Sequence, residues 1–74
     1  MREHSLVVLT RAVPEHGLEP GDIGTVIHRY RGARAFEVEF AGAEARPVAV
    51  LTLEPTDVRG MEPGEILHAR KRSA

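Results

Sequence analysis

The chain has no cysteine and no tryptophan, and its 74 residues include only one tyrosine and two phenylalanines. Without cysteine there is no disulfide and no thiolate ligand for a structural zinc. This is compatible with a reducing compartment, and a cytoplasmic location is expected. Lysine is almost missing too: nine of the ten basic residues are arginine, the exception being Lys71. Long apolar runs are absent. The longest, Leu6 to Leu9 and Val48 to Leu51, fall far short of the ~20 residues of a membrane-spanning helix, so no membrane association is expected. Met1-Arg2-Glu3-His4 is charged and carries no apolar signal core. Neither charge sign is in excess. The net charge is −1, with acidic and basic residues mixed along the length, which argues against a dedicated polyanion binder.

A chain of this size makes one domain, residues 1–74. It buries roughly 60% of its unfolded surface, so stability must come from a compact core, an oligomer or a partner. The most informative stretch is Gly21-Asp22-Ile23-Gly24-Thr25-Val26-Ile27-His28-Arg29-Tyr30, followed by Phe36-Glu37-Val38-Glu39-Phe40. Two glycines bracket an aspartate and open a β-branched run. Pro20-Gly21 has the chemistry of a type II turn, and Asp22 is placed to cap it through its side chain. Gly24 lies inside a strand pattern, where glycine marks a bulge or a close backbone approach. Ile23, Thr25, Ile27 and Arg29 point one way and Val26, His28 and Tyr30 the other, which leaves the inward face of this strand open. Phe36, Val38 and Phe40 alternate with Glu37 and Glu39, so a one-residue slip would bury both glutamates.

Around this hairpin, Leu6 to Thr10 predicts a strand whose continuous apolar run is covered on both sides, or on one side and by a loop. Arg11 to Pro20 predicts a loop, with Leu18 folding back as a plug. Arg31 to Arg34 predicts the hairpin turn, and Ala41 to Ala45 the next turn. Arg46 to Leu53 predicts a fourth strand. Glu54 to Val58 suits a single 3₁₀ turn, and Val58-Arg59 a short closing strand. Met61 to Gly64 is a further Pro-Gly turn. Glu65 to Arg70 is open between a helical turn and a strand, with strand favoured, and Lys71 to Ala74 should fray. Strand-sized runs at this spacing predict an all-β sandwich or barrel. At 74 residues only a small barrel of about five strands fits, and the order is that of an SH3-like barrel.

The chain also resembles a bacterial and archaeal family, domain of unknown function 4926. The matching residues are Val8-Leu9-Thr10, Pro14 to Leu18, Gly21 to Val26, Glu37 to Phe40, Leu51-Thr52-Leu53 and Asp57-Val58-Arg59. The resemblance implies a stand-alone SH3-like domain with no catalytic residues to carry over. It also suggests an immunity or antitoxin-type role, because members of such families sit beside toxin-like genes. The segment Gly21 to Val26 is similar to the KOW motif of transcription and ribosomal proteins, which implies RNA binding as the alternative.

The candidate interaction surface is the tip and outer face of the central hairpin: Arg29, Tyr30, Arg31, Arg34, Glu37 and Glu39. Tyr30 could stack a base while the arginines hold phosphates; Arg70-Lys71-Arg72 could add to this. Equally, Glu37 and Glu39 could neutralise the arginines across the strands. The two glutamates share a strand face about 7 Å apart, a spacing also met in acid/base pairs. His4, His16, His28 and His68 lack metal-ligand spacing, so no metal or cofactor is expected; His28 is the histidine expected to be partly buried. No nucleophile–base pair stands out, and no enzyme is expected. The expected role is protein binding, by a monomer or by a homodimer formed through an edge strand or the C-terminal segment.

Overall fold

The computed structural model describes residues 1–42 and 47–67. It contains five strands: β1 (Leu6–Leu9), β2 (Ile23–Arg29), β3 (Phe36–Ala41), β4 (Pro47–Leu53) and β5 (Val58–Gly60), with short 3₁₀ turns at Pro14–His16 and Arg31–Ala33. The strands form one antiparallel sheet in the order β4-β3-β2-β1-β5. Among the described residues no helix is long and apolar enough to cross a membrane. The expected turn residues 43–45, the strand start at Arg46, and His68 to Ala74 lie outside the described residues.

Among the described residues the sheet is not closed by hydrogen bonds, because β4 pairs only with β3 and β5 only with β1. It nevertheless curls. In a flat five-stranded sheet the two edge strands would lie about 19 Å apart. Here they are joined by the turn Glu54 to Asp57, closed by the Asp57 N–H donating to the Glu54 carbonyl at 2.9 Å, and such a turn spans less than about 7 Å. The concave side therefore gathers residues from both edges. Val7 and Leu9 of β1, Val26 of β2, Phe36, Val38 and Phe40 of β3, Leu53 of β4 and Val58 of β5 form one cluster. An all-β domain with this strand order is compatible with an SH3-like fold.

The Phe-Glu-Val-Glu-Phe alternation sets the register. Phe36, Val38 and Phe40 are buried while Glu37 and Glu39 lie half-exposed on the opposite face. Val7, Val8 and Leu9 are all buried, as the unbroken run in β1 requires. Leu18 is buried as a plug and Val13 bridges to it, so the loop after β1 adds two residues to the core.

The face of β2 that the pattern left open is decided by its partners: Gly24 and Val26 are buried. Gly24 marks a close approach. A Cβ there would sit 2.6 Å from Val38 Cγ1 and 3.1 Å from the Glu39 carbonyl oxygen. The bulge lies further on, between Val26 and His28. Ile27 is the extra residue, and it shifts the alternation so that His28 pairs with Glu37 on the outer face. His28 is consequently exposed over 54% of its side chain, not partly buried as expected from its place in the strand.

Three turns share one construction. In Glu19-Pro20-Gly21-Asp22, Glu54-Pro55-Thr56-Asp57 and Glu62-Pro63-Gly64-Glu65, the fourth N–H donates to the first carbonyl. The fourth side chain, a carboxylate, accepts from the first N–H at 2.8, 2.9 and 2.6 Å respectively. Proline presets the bend and the carboxylate satisfies the remaining donor. Gly21 and Gly64 take positive φ of 96° and 88° at the third position, as a type II turn demands. Asp22 thus caps its own turn by reaching back to Glu19. The turn before β5 has one i→i+3 bond and forms no 3₁₀ helix; the 3₁₀ turns fall instead at Pro14–His16 and Arg31–Ala33.

Arginines tie two of these turns to the sheet. Arg11 Nε donates to Asp57 at 2.8 Å, beside Thr10 donating to the Thr56 and Asp57 carbonyls. Arg59 makes a two-pronged contact with Glu65 at 2.7 and 2.8 Å. Asp57 titrates below the ordinary carboxylate range, chiefly because the Glu54 N–H donates to it, with Arg11 adding to the effect. The Arg59 guanidinium, aided by the Glu62 N–H, lowers Glu65 to about 2. Because the folded value lies below the unfolded one, the Arg59–Glu65 contact is fully present above the ordinary carboxylate pKa and lost as pH falls through about 2. A carboxyl-detected NMR titration should place Glu65 near that value, and Arg59→Gln should move it back towards the ordinary one.

Beyond this clamp the expected strand over Glu65 to Arg70 does not form in its described part. Residues 65–67 are irregular, and Ile66 and Leu67 are 86% and 63% exposed. They cover no sheet edge in cis.

Candidate functional site

Arg29, Tyr30, Arg31 and Arg34 lie together at the β2–β3 hairpin tip. Arg29 opposite Phe36 is the last strand pair. The Tyr30 N–H then donates to Ala35 at 3.0 Å and the Ala33 N–H to Tyr30 at 3.0 Å. Gly32 and Ala33 both adopt positive φ, 71° and 53°. For glycine that costs little, whereas for alanine it stores strain of order 1–2 kcal/mol. The loop is therefore held in one shape by the ladder on either side.

That shape fixes Tyr30. Its hydroxyl donates to Glu37 at 3.2 Å, and Thr52 of β4 donates to the same carboxylate oxygen. The edge of the His28–Tyr30 ring pair is perpendicular, with centroids 4.7 Å apart. Partial desolvation, then the bond to Glu37 and its charge, raise the Tyr30 pKa above its ordinary value, so the phenol remains a neutral donor. Glu3 supports the other side, accepting from the Arg29 N–H at 3.1 Å and lying 3.3 Å from His28 Nδ1. A chain of side chains from Glu3 through His28, Tyr30 and Glu37 to Thr52 thus crosses the outer face. Glu39, on the same face, sits between Thr25 and Val50.

The tip itself is an open depression of about 500 Å³ lined by Tyr30, Arg31, Gly32 and Arg34. Arg11 and Arg59 are committed to carboxylates. The guanidiniums of Arg29, Arg31 and Arg34 have no carboxylate partner among the described residues, so the cross-strand neutralisation by Glu37 and Glu39 does not occur there. Free guanidiniums around an exposed ring can hold a carboxylate or phosphate by paired N–H donors while the ring supplies contact area. Glu37 already accepts from two hydroxyls, which suits it to positioning Tyr30. Among the described residues no three histidine, aspartate or glutamate side chains converge as metal ligands would.

Sequence reasoning placed Tyr30, Arg31 and Arg34 together at the tip, as the depression there shows, but missed Glu3, His28 and Thr52 as supports. Glu3 and Thr52 reach the hairpin only through tertiary pairing. The bulge that brings His28 onto Tyr30's face carries no sequence signal stronger than a run of unbroken β-formers.

Fold and surface together define a small all-β domain with a rigid, cationic hairpin tip. The chain belongs to the family described as Domain of unknown function (DUF4926), which it matches over residues 3–60. That span runs from Glu3, which supports the tip, to Gly60, the last residue of β5. No curated protein and no solved structure matches the chain.

Proposed function

We propose that this chain is a non-enzymatic protein-interaction module that uses the hairpin tip and its flanking outer face to bind a partner protein, as an immunity or antitoxin-type protein binds its target. The observation that carries this reading is the exposed Tyr30, pinned by Glu37 and His28 and lining an open depression together with Arg31 and Arg34. Tyrosine and arginine are the residue types that anchor protein interfaces, and a prelocked anchor loses little freedom on binding. Ile27, exposed at the bulge, adds apolar contact area. The carboxylates of Glu3, Glu37 and Glu39 on the same face oppose an extended nucleic acid backbone, and a depression this open suits contact better than enclosure of a substrate.

The test is a pull-down of the tagged chain from its native cell at low and high salt, with protein and RNA both identified. The reading expects a stoichiometric protein that survives high salt and whose affinity drops at least ~tenfold in Tyr30→Ala and in the double variant Arg31→Ala/Arg34→Ala. RNA that elutes at low salt and vanishes at high salt would overturn it in favour of the KOW-like alternative.

A further inference from the structure

The surface least like the rest of this chain is the free edge of β4. Charged residues make up 28% of the sequence, yet Pro47-Val48-Ala49-Val50-Leu51-Thr52-Leu53 contains none. Exposed sheet edges ordinarily carry lysine, other charges or proline, which stop one sheet from adding to another. Among the described residues β4 pairs with β3 on one side only. The register shift opposite Phe40 and Ala41 and the proline at position 47 blunt its beginning, leaving Ala49 to Leu53 as a regular, uncharged edge. Val50, on the outer face, is 46% exposed.

The other edge is built differently. β5 is three residues long, and the turn that follows is clamped back onto Arg59 by Glu65. It offers little ladder to an incoming strand. A head-to-tail chain of copies, with the β4 edge of one on the β5 edge of the next, is therefore disfavoured. The arrangement that uses the open edge alone is two-fold and self-matching.

We propose that β4 is a self-association edge, pairing antiparallel with β4 of a second copy about an axis at Leu51. The sequence is self-complementary in that register. Val50 faces Thr52, two β-branched residues on the outer face, and Ala49 faces Leu53, a small residue against a large one on the inner face. No charges meet across the axis. Glu39 of one copy lies in line with Glu37 of the other, since these are the cross-strand neighbours of Val50 and Thr52. Each stands one strand back from the joint, so the two are roughly three strand spacings or 14 Å apart, beyond the ~8 Å screening length at physiological salt. The joint is a ladder of five residues a side, about 17 Å long. It is much smaller than the ~1,600 Å² of a stable interface, so the dimer is reversible and forms with rising concentration. It leaves the hairpin tip free, and so stands or falls independently of the partner-binding role.

Sedimentation equilibrium over a wide concentration range tests this. The wild-type chain is expected to show a monomer–dimer equilibrium. Val50→Lys is expected to weaken it at least ~tenfold, since an edge lysine opposes strand addition. The fold should persist in this variant because Glu39 is the cross-strand neighbour of Val50 and can pair with the new charge; an unchanged circular dichroism melt checks that. Val50→Thr, which keeps the β-branch, should still dimerise. A monomer at every concentration would overturn the proposal. So would a dimer that survives Val50→Lys but is lost in Ile66→Ser/Leu67→Ser, which would place the contact on the exposed apolar pair after β5.

Discussion

Phe36→Ala is expected to destabilise the fold by about 3–5 kcal/mol, enough to unfold the chain outright at the low end of the stability a domain of this size has. Phe36 is 1% exposed. It lies opposite Leu53 of β4, in one cluster with Val58 of β5 against which Ala33 of the hairpin tip packs. Truncating a buried phenylalanine costs about 3–5 kcal/mol, from lost transfer energy and from the cavity left behind. Domains have only about 0.05–0.15 kcal/mol of stability per residue, which for 74 residues is about 4–11 kcal/mol. There is no disulfide to limit the loss. Urea denaturation followed by circular dichroism measures it. Phe36→Leu, which keeps most of the volume, should cost about 1–1.5 kcal/mol. Equal effects from the two substitutions would mean that Phe36 does not fill the centre of the core.

Gly24→Ala is the second large effect, and it comes from adding a single methyl group. The backbone of Gly24 is ordinary strand, absent from the positive-φ residues, so alanine can adopt it without torsional strain. The penalty is steric. The new Cβ would meet Val38 Cγ1 at 2.6 Å, Phe40 Cε1 at 3.0 Å and the Glu39 carbonyl oxygen at 3.1 Å. None of these can yield cheaply: Val38 is fully buried and stiff at its branched carbon, Phe40 is 2% exposed, and the third atom is backbone. Overpacking of this kind costs about 1–3 kcal/mol, and the lower entropy of the unfolded alanine chain returns about 0.4–1 kcal/mol. A net loss of about 1–2 kcal/mol is expected, read as a lower urea midpoint. Gly60→Ala is the control. No atom lies within 4 Å of its ideal Cβ, so that substitution should be neutral or slightly stabilising. If the two variants behaved alike, the close approach of β2 to β3 at Gly24 would be wrong.

Much of the fold was legible because local chemistry and tertiary demand agree along most of the chain. Phe36 to Phe40 shows its register in its own alternation, since only one pairing keeps Glu37 and Glu39 out of the core. The unbroken run in β1 announced a covered strand, and Leu18 announced itself as the apolar residue of a polar loop. The turn at Glu19-Pro20-Gly21-Asp22 was legible in its proline, glycine and carboxylate. The same Glu-Pro spacing at positions 54 and 62 was there to be read as a repeated device, a proline bend closed by the fourth residue's carboxylate.

The sequence by itself determined which residues face inward on β3, where the chain turns, and that the hairpin tip concentrates arginine around the single tyrosine. Tertiary structure alone decided three other things. The bulge at Ile27 turned His28 outward onto Tyr30, because one extra residue in a ladder reverses every side chain beyond it and no local preference marks where it will fall. The supports of the tip, Glu3 and Thr52, were brought in by neighbouring strands that are distant in sequence. The fate of the edges depended on the whole sheet: a charge-free strand is buried in the middle of a sheet and open at its border, and its own residues do not say which. For β4 the strand order left it at the border, with one side of its ladder unpaired among the described residues.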